Sequence, residues 1–381
     1  MINVMVLVDR AQGGSGPHRN VVGSLNALTA RDDVRVRLLT GYIDENEPFA
    51  ASKNLECVLG FESHNLLRVP QNLSLVFNMA RGCDLVYVPT NFKSLAYAQV
   101  ASRLPIVAGP NVSPISKRKD APGFVELSWM CDLWLEASDF RVNRVLEIAG
   151  RRFSGKLKRV HHAIDSVRFS PAHRAPGFWE RFGISSRSVK VLYVGRDNHV
   201  CKGVRQLVEA VGLVNSRGDS SRVDFVFVGR MSEDTRAALS RIKNAHCLGF
   251  KSDRELSQIY ANSDISVVPS SWENFPFTVM EAMASGLAVI GSRVGGIPEQ
   301  ISDGETGLLV SISPRPGSVH NDDAGETLSA AIVRSIMDEG LRKRLGRNAR
   351  NRVLEYFNEE RLGVELCEAF TTVLARKELA K

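Results

Sequence analysis

The sequence has no C-x-x-C pair and no apolar run of membrane-spanning length, and each absence excludes a class of protein. Its six cysteines stand far apart, at positions 57, 83, 131, 201, 247 and 367. That spacing fits reduced thiols in the cytoplasm and argues against a structural zinc site. The apolar start Ile2 to Val8 is short and runs straight into Asp9 and Arg10, so it reads as a first strand rather than a signal peptide. The glycine-rich loop that follows fails as a dinucleotide site. After Gly14 and Gly16 the third glycine should stand at position 19, which is Arg19, and the next strand ends Leu38-Leu39-Thr40 with no carboxylate for a ribose. The phosphate-loop pattern G-x-x-x-x-G-K-[ST], a D-x-D pair, internal repeats and low-complexity tracts are absent too.

What remains is an ordinary globular composition, 44% apolar and 24% charged, in a chain of 381 residues that is long enough for two domains. Short apolar runs alternate with helical stretches: Ile2 to Val8, a helix from His18 to Ala30, Val34 to Leu39, Leu85 to Val88, Ile106 to Ala108 and Leu133 to Ala137. A second series opens with Val189 to Val194 and continues with Val223 to Val228, Ala245 to Leu248 and Asp264 to Val268. Such alternation predicts doubly wound α/β units with parallel sheets.

The net charge of +7 is concentrated in the first half. Lys117-Arg118-Lys119 forms one basic cluster, and Arg141 to Arg159 holds seven basic residues with Glu147 the only acid. A solvated helix face is the plainest meaning of such runs. An anionic membrane surface or an anionic acceptor is the next, with Trp129, Trp134 and Phe153 as interfacial aromatics. Nucleic acid ranks last as a partner, since no aromatic-studded binding module accompanies the charge.

The chemistry concentrates in Ser270-Ser271-Trp272-Glu273-Asn274-Phe275-Pro276-Phe277 and the residues that follow, through Gly286. Pro276 suits a first helical position and Gly286 a stop, so Glu273 falls in the loop at a strand's carboxyl end and Glu281 on the helix behind it. Ligands of open α/β sheets sit at that edge. Glu281 is surrounded by Val279, Met280, Ala282, Met283 and Ala284, so it is buried and needs partners. A structural hydrogen bond and ligand hydroxyls both remain open for it. The N–H groups around Asn274 to Phe277 suggest an anion site suited to a diphosphate.

These residues resemble a known family. Glu273 and Glu281, with seven residues between them, are similar to the E-x7-E motif of retaining glycosyltransferases of the GT-B fold, family GT4. The resemblance continues through Gly286-Leu287-Ala288-Val289-Ile290, Gly295-Gly296-Ile297-Pro298-Glu299 and Asp303 to Val310. It implies two Rossmann-like domains facing each other across a cleft, residues 1–165 and 166–358, with a helix over 359–381 crossing back to the first. It also implies transfer of a sugar from a UDP-, GDP- or ADP-sugar to a saccharide or lipid-linked acceptor, with no cofactor and no metal. The enzyme would be cytoplasmic or peripheral on the inner membrane face.

Site roles follow from the same resemblance. Arg196 and Lys202, in the loop bounded by Gly195 and Gly203, would hold the donor phosphates, Glu273 the donor sugar, and Glu281 the ribose. Gly229-Arg230 and Gly249-Phe250 would frame the base. Gly13, Gly14 and Ser15 would approach the donor diphosphate and the acceptor. Many members carry a histidine after the strand comparable to Leu104 to Ala108; this chain has Asn111 in that loop, which can hydrogen-bond a sugar hydroxyl but cannot act as a general base. Glu273-Asn274-Phe275-Pro276 likewise varies the commoner Glu-Gly-Phe-Gly. A pyridoxal-phosphate phosphorylase, a nucleotide-sugar hydrolase and a non-catalytic partner subunit are the alternatives.

Overall fold

The computed structural model describes residues 1–12, 16–111, 129–197, 200–216, 222–312 and 323–379. Gly13, Gly14, Ser15 and Lys117-Arg118-Lys119 lie outside the described residues. The chain divides into two compact units: Met1–Ala163 together with Asn358–Lys381, and Ile164–Phe357.

The first unit is built on a seven-stranded sheet with the strand order Leu55–Leu59, Val34–Thr40, Ile2–Leu7, Leu85–Thr90, Ile106–Asn111, Leu133–Glu136 and Leu157–Arg159. Every neighbouring pair is parallel. Parallel sheets are covered on both faces, and alternate residues of one strand therefore enter different cores. In the first strand Val4 and Val6 pack with Leu25 and Leu28 of the helix Gly16–Thr29, while Met5 and Leu7 pack with Val76, Met79 and Trp134. The sequence segment Glu359–Leu379 joins the first of these cores. Its Leu362, Leu366, Phe370 and Val373 recur at helical spacing on the buried face, and the Phe370 ring lies 5.5 Å from that of Tyr87. Gly363 permits the close approach, since a Cβ there would stand 2.8 Å from the Ala27 carbonyl.

The second unit has a six-stranded parallel sheet in the order Ala245–Gly249, Val223–Val228, Val189–Val194, Ile265–Val268, Ala288–Ser292 and Leu308–Val310. Val191, Phe225, Phe227 and Ile265 form one core with Leu207, Val211 and Val214 of the helix Val204–Ser216. Strand order reverses once in each sheet: between Ile2–Leu7 and Leu85–Thr90, and between Val189–Val194 and Ile265–Val268.

Several boundaries differ from the sequence pattern. The first helix starts at Gly16, not His18, and the strand before the central loop starts at Ile265, not Asp264, whose carboxylate instead accepts from Lys190 N at 2.8 Å. The strands Leu55–Leu59 and Leu157–Arg159 are edge strands carrying Glu56, Lys158 and Arg159, too polar to read as apolar runs. The basic run Arg141 to Arg159 is not one solvated face. Arg141 is buried against the buried Glu136 at 3.4 Å, Arg144 pairs with Glu147, Lys158 with Glu368 and Arg159 with Asp139. Trp134 and Phe153 belong to the core, leaving Trp129 exposed beneath the Lys156 ammonium. No described helix is long and apolar enough to cross a membrane.

His162 is buried, with its Nδ1 2.9 Å from Asn20 Oδ1. Burial, with the charge of His161, pushes its pKa down to about 3 from the ordinary 6.5. The unfolded chain therefore takes up a proton that the folded one refuses. The stabilisation is complete above pH 6.5 and is lost progressively as pH falls from there toward 3. Melting temperatures measured from pH 7 to pH 4 should fall more steeply for the wild type than for His162→Gln; parallel slopes would refute the assignment.

Candidate functional site

The site is built at the strand-order reversal of the second sheet, where ligands of open α/β sheets collect. Beyond Val194 the chain passes Gly195, Arg196 and Asp197 and enters a short 3₁₀ turn, Val200–Lys202. Gly203 then sits at φ +67°, against the end of the neighbouring strand: a Cβ at this position would lie 1.7 Å from the Pro269 carbonyl oxygen. Ser271 N donates to the Cys201 carbonyl at 2.8 Å, tying the two loops a second time.

That junction carries Lys202 Nζ to within 2.6 Å of Glu273 Oε1. Ser270 Oγ donates to the same carboxylate oxygen at 2.8 Å. The Ser270 carbonyl in turn accepts from Ser292 Oγ, on the adjacent strand. Beneath the loop lies Gly295 at φ +57°, whose missing Cβ would stand 1.8 Å from the Glu273 carbonyl oxygen. The Glu273 side chain is 11% exposed and that of Lys202 33%, so the pair is enclosed on the carboxylate side and open on the ammonium side.

The structure thus brings Lys202 and Glu273 together; Arg196 is exposed at the same sheet edge and is not among the ion-pair partners of Glu273. The next two loops join them. Gly229 takes φ +125° and would place a Cβ 1.8 Å from the Gly195 carbonyl, and its N–H donates to the Gly249 carbonyl at 2.9 Å. Asp197 N donates to the Arg230 carbonyl at 3.3 Å. Burial alone would raise the Asp197 pKa, but hydrogen bonds from Ser232 hold it below the ordinary carboxylate value. Phe250, 74% exposed, stands at the end of this row. Burial and the Glu273 carboxylate push the Tyr193 phenol upward, so it stays protonated beside the site.

The helix Phe277–Ala284 begins one residue later than the proline suggests: Pro276 is its N-cap, and its carbonyl accepts from Gln300 Nε2 at 3.1 Å. Lacking an N–H, Pro276 adds no donor to an anion site there. Phe275 packs edge-on to Phe357, at 5.5 Å between ring centroids. The helix ends in a Schellman turn, with Gly286 N donating to Met283 O and Leu287 N to Ala282 O, both at 3.0 Å, and Gly286 at φ +78°. Glu281 is wholly buried, so a ligand could touch it only if the residues that enclose it parted. Asn111 closes the strand Ile106–Asn111 in the first unit. Ser270 was missed as a site residue. The only sequence signal, Ser three positions before Glu, ordinarily marks a helix cap, whereas here the two side chains bond to each other.

Residues 179–352 match the family described as Glycosyl transferases group 1. Among curated proteins, the chain is 29% identical over 221 residues to sulfoquinovosyl transferase SQD2 of Arabidopsis thaliana, covering 56% of this chain and 40% of that protein. It is 28% identical over 187 residues to N-acetyl-alpha-D-glucosaminyl L-malate synthase of Bacillus anthracis, covering 48% of this chain and 45% of that one. The chain thus spans less than half the length of these relatives. Among solved structures, Alr3699/HepE of Anabaena, in complex with UDP and glucose, superposes with a TM-score of 0.74 at 18% identity over 98% of this chain and all of that one. A glycosyltransferase of Rickettsia africae gives 0.73 at 19%, covering 98% of each chain. The fold is GT-B, with two Rossmann-like α/β domains.

The packing under Glu273 is directly testable. Gly295→Ala meets both a left-handed backbone and the Glu273 carbonyl, whereas Gly304, at φ +76° with nothing within 4 Å of its missing Cβ, meets only the first. Gly304→Ala should cost about 1–2 kcal/mol in denaturant unfolding. Gly295→Ala should cost clearly more. Equal losses would mean that the loop yields freely.

Proposed function

We propose that this chain is a glycosyltransferase that moves a sugar from a nucleotide diphosphate sugar to an acceptor hydroxyl, in glycoconjugate assembly. Retention at the anomeric carbon is the outcome its E-x7-E resemblance implies. The observation that carries the reading is the ion pair of Lys202 and Glu273, held at the reversal point of a parallel sheet beside the exposed Arg196. Support comes also from the matched family and from the UDP-bound solved structure of the same fold.

In this reading Lys202 exchanges Glu273 for an oxygen of the donor diphosphate, and Arg196 closes on the same group. As the bond from the anomeric carbon to the diphosphate breaks, its electron pair leaves with the diphosphate, and the two cations stabilise the growing charge. The acceptor hydroxyl oxygen bonds to that carbon, and the hydroxyl proton passes to the departing diphosphate oxygen. Glu273, released from Lys202 and still oriented by Ser270, takes hydroxyls of the donor sugar. Gly229, Arg230, Gly249 and Phe250 line the place for the base, with the exposed Phe250 ring available for stacking. Glu281 serves the ribose once its surroundings open.

Incubation with UDP-, GDP- and ADP-sugars tests the whole reading: one donor should bind and be turned over in the presence of acceptor, and no binding of any would overturn it. Arg196→Ala or Lys202→Ala should weaken the nucleoside diphosphate by about 1.5–3 kcal/mol in calorimetry, the loss of a charge-assisted hydrogen bond. The bare nucleoside should be unaffected; equal effects on both ligands would remove these residues from the phosphate site. Glu273→Gln should mainly lower turnover, whereas Glu281→Gln should mainly weaken nucleotide affinity. If the two variants behave alike, the assigned roles are wrong.

A further inference from the structure

The sheet of the first unit ends on one side at the strand Leu55–Leu59, whose one hydrogen-bonded neighbour among the described residues is Val34–Thr40. The alternation of its backbone bonds is fixed at both ends. Val36 N donates to the Asn54 carbonyl at 2.9 Å, and Gly60 N donates to the Thr40 carbonyl at 3.0 Å. Glu56 and Val58 therefore bond inward, and Leu55, Cys57 and Leu59 turn their N–H and C=O groups away from the sheet. The Leu55 N–H is returned to the Ser52 carbonyl at 3.2 Å. The groups of Cys57 and Leu59 form an open edge, which is a template for another strand.

Edge strands are ordinarily guarded by charge. The opposite edge of the same sheet, Leu157–Arg159, carries Lys158 and Arg159. On Leu55–Leu59 the single charge, Glu56, is drawn back over its own sheet by Arg37 of the neighbouring strand, whose Nε and Nη2 donate to its two oxygens at 2.9 and 2.8 Å. Arg37 is itself anchored on the Met79 and Arg81 carbonyls, both at 2.8 Å. The flanking helix Val69–Ala80, whose Leu75 would lie 3.8 Å from a Cβ at Gly60, has no charged residue along its length. On the strand itself Cys57 is exposed and Leu59 is 57% exposed. This edge is thus apolar, and its one charge is already paired.

These features select the occupant. A lipid surface would strand the outward N–H and C=O groups in hydrocarbon. Another strand satisfies them, and this strand's own sequence suits the task. In an antiparallel pair centred on Cys57, that residue meets its counterpart and the two exchange both N–H···O bonds. Leu59 N then reaches the Leu55 carbonyl of the other copy, and the Leu55 and Leu59 side chains face each other across the pair. Glu56 falls opposite Val58, so like charges never stand directly opposite one another. The twofold symmetry is that of the commonest closed homo-oligomers. We propose that the edge strand Leu55–Leu59 is a dimer interface, pairing antiparallel with the same strand of a second copy of this chain. Sugar transfer is not a premise of this pairing.

Light scattering on the full chain, over a concentration series, tests it. The wild type should pass from the mass of one chain to that of two. Cys57→Lys and Cys57→Glu each place like charges across the twofold axis and should weaken association about tenfold or more. An equimolar mixture of the two variants should restore the dimer, which misfolded chains could not do. Diamide should link wild-type chains through a disulfide, since paired residues of antiparallel strands lie within disulfide reach. Mildly alkaline solution suits that oxidation, because burial raises the Cys57 thiol above its ordinary value. Cys57→Ala should abolish the link, and Cys247→Ala, at the other exposed cysteine, should keep it. A chain that stays monomeric into the hundred-micromolar range would overturn the proposal. So would a dimer that survives both charged variants, a mixture that fails to reassociate, or a disulfide that forms through Cys247 rather than Cys57.

Discussion

An ammonium and a carboxylate 2.6 Å apart, at the point where a parallel sheet reverses its strand order, set the terms for the rest of the second unit. An exposed ion pair contributes little, and a fully buried one costs nearly as much in desolvation as it returns. This pair lies between those limits, with the carboxylate enclosed and the ammonium a third exposed. The carboxylate is enclosed by protein, while the cation faces water from which a stronger anion can reach it. In the proposed transfer, the group that holds Lys202 in position is the one that a diphosphate would displace.

Keeping that geometry requires backbone to pack on backbone. Gly203 against Pro269, Gly229 against Gly195 and Gly295 against Glu273 each leave less than 2 Å for a Cβ, and each residue has a positive φ. Together they clamp the loops from three strands and the loop after Ser292 into one surface. Side-chain hydrogen bonds then refine it, Ser292 onto Ser270 and Ser270 onto Glu273. The polar contacts orient the carboxylate, and the glycine contacts decide where its loop can be.

The first unit repeats the same architectural solution with different chemistry. Its strand reversal is bridged by a carboxylate and an amide, Asp9 and Asn91, where the second unit uses an ion pair. Its core is completed by the chain's last helix, whose Leu366 and Phe370 fill the face of the sheet opposite Met5 and Leu7. Removing that helix would expose the apolar side of the helix Gly16–Thr29 and the Tyr87 ring to water.

The sequence by itself determined the parts that depend on local pattern. Apolar runs interrupted only by Lys190 and Asp224, near their first residues, marked the strands Val189–Val194 and Val223–Val228 to the residue, because a strand buried on both faces is apolar along most of its length. The stop at Gly286 was legible because a Schellman turn requires a left-handed residue. Glu273 stood out because a helix start and a strand end bracketed it. Tertiary structure decided what depends on neighbours distant in sequence. It paired Glu273 with Lys202, 71 residues earlier, and Asp9 with Asn91, 82 residues later, contacts that no spacing rule connects. It also buried Arg141, Trp134 and Phe153, which the charge pattern had placed on a surface. The physical reason is the same throughout: periodicity fixes which face of an element is apolar, but only the packing of strands side by side decides which loops meet at their ends.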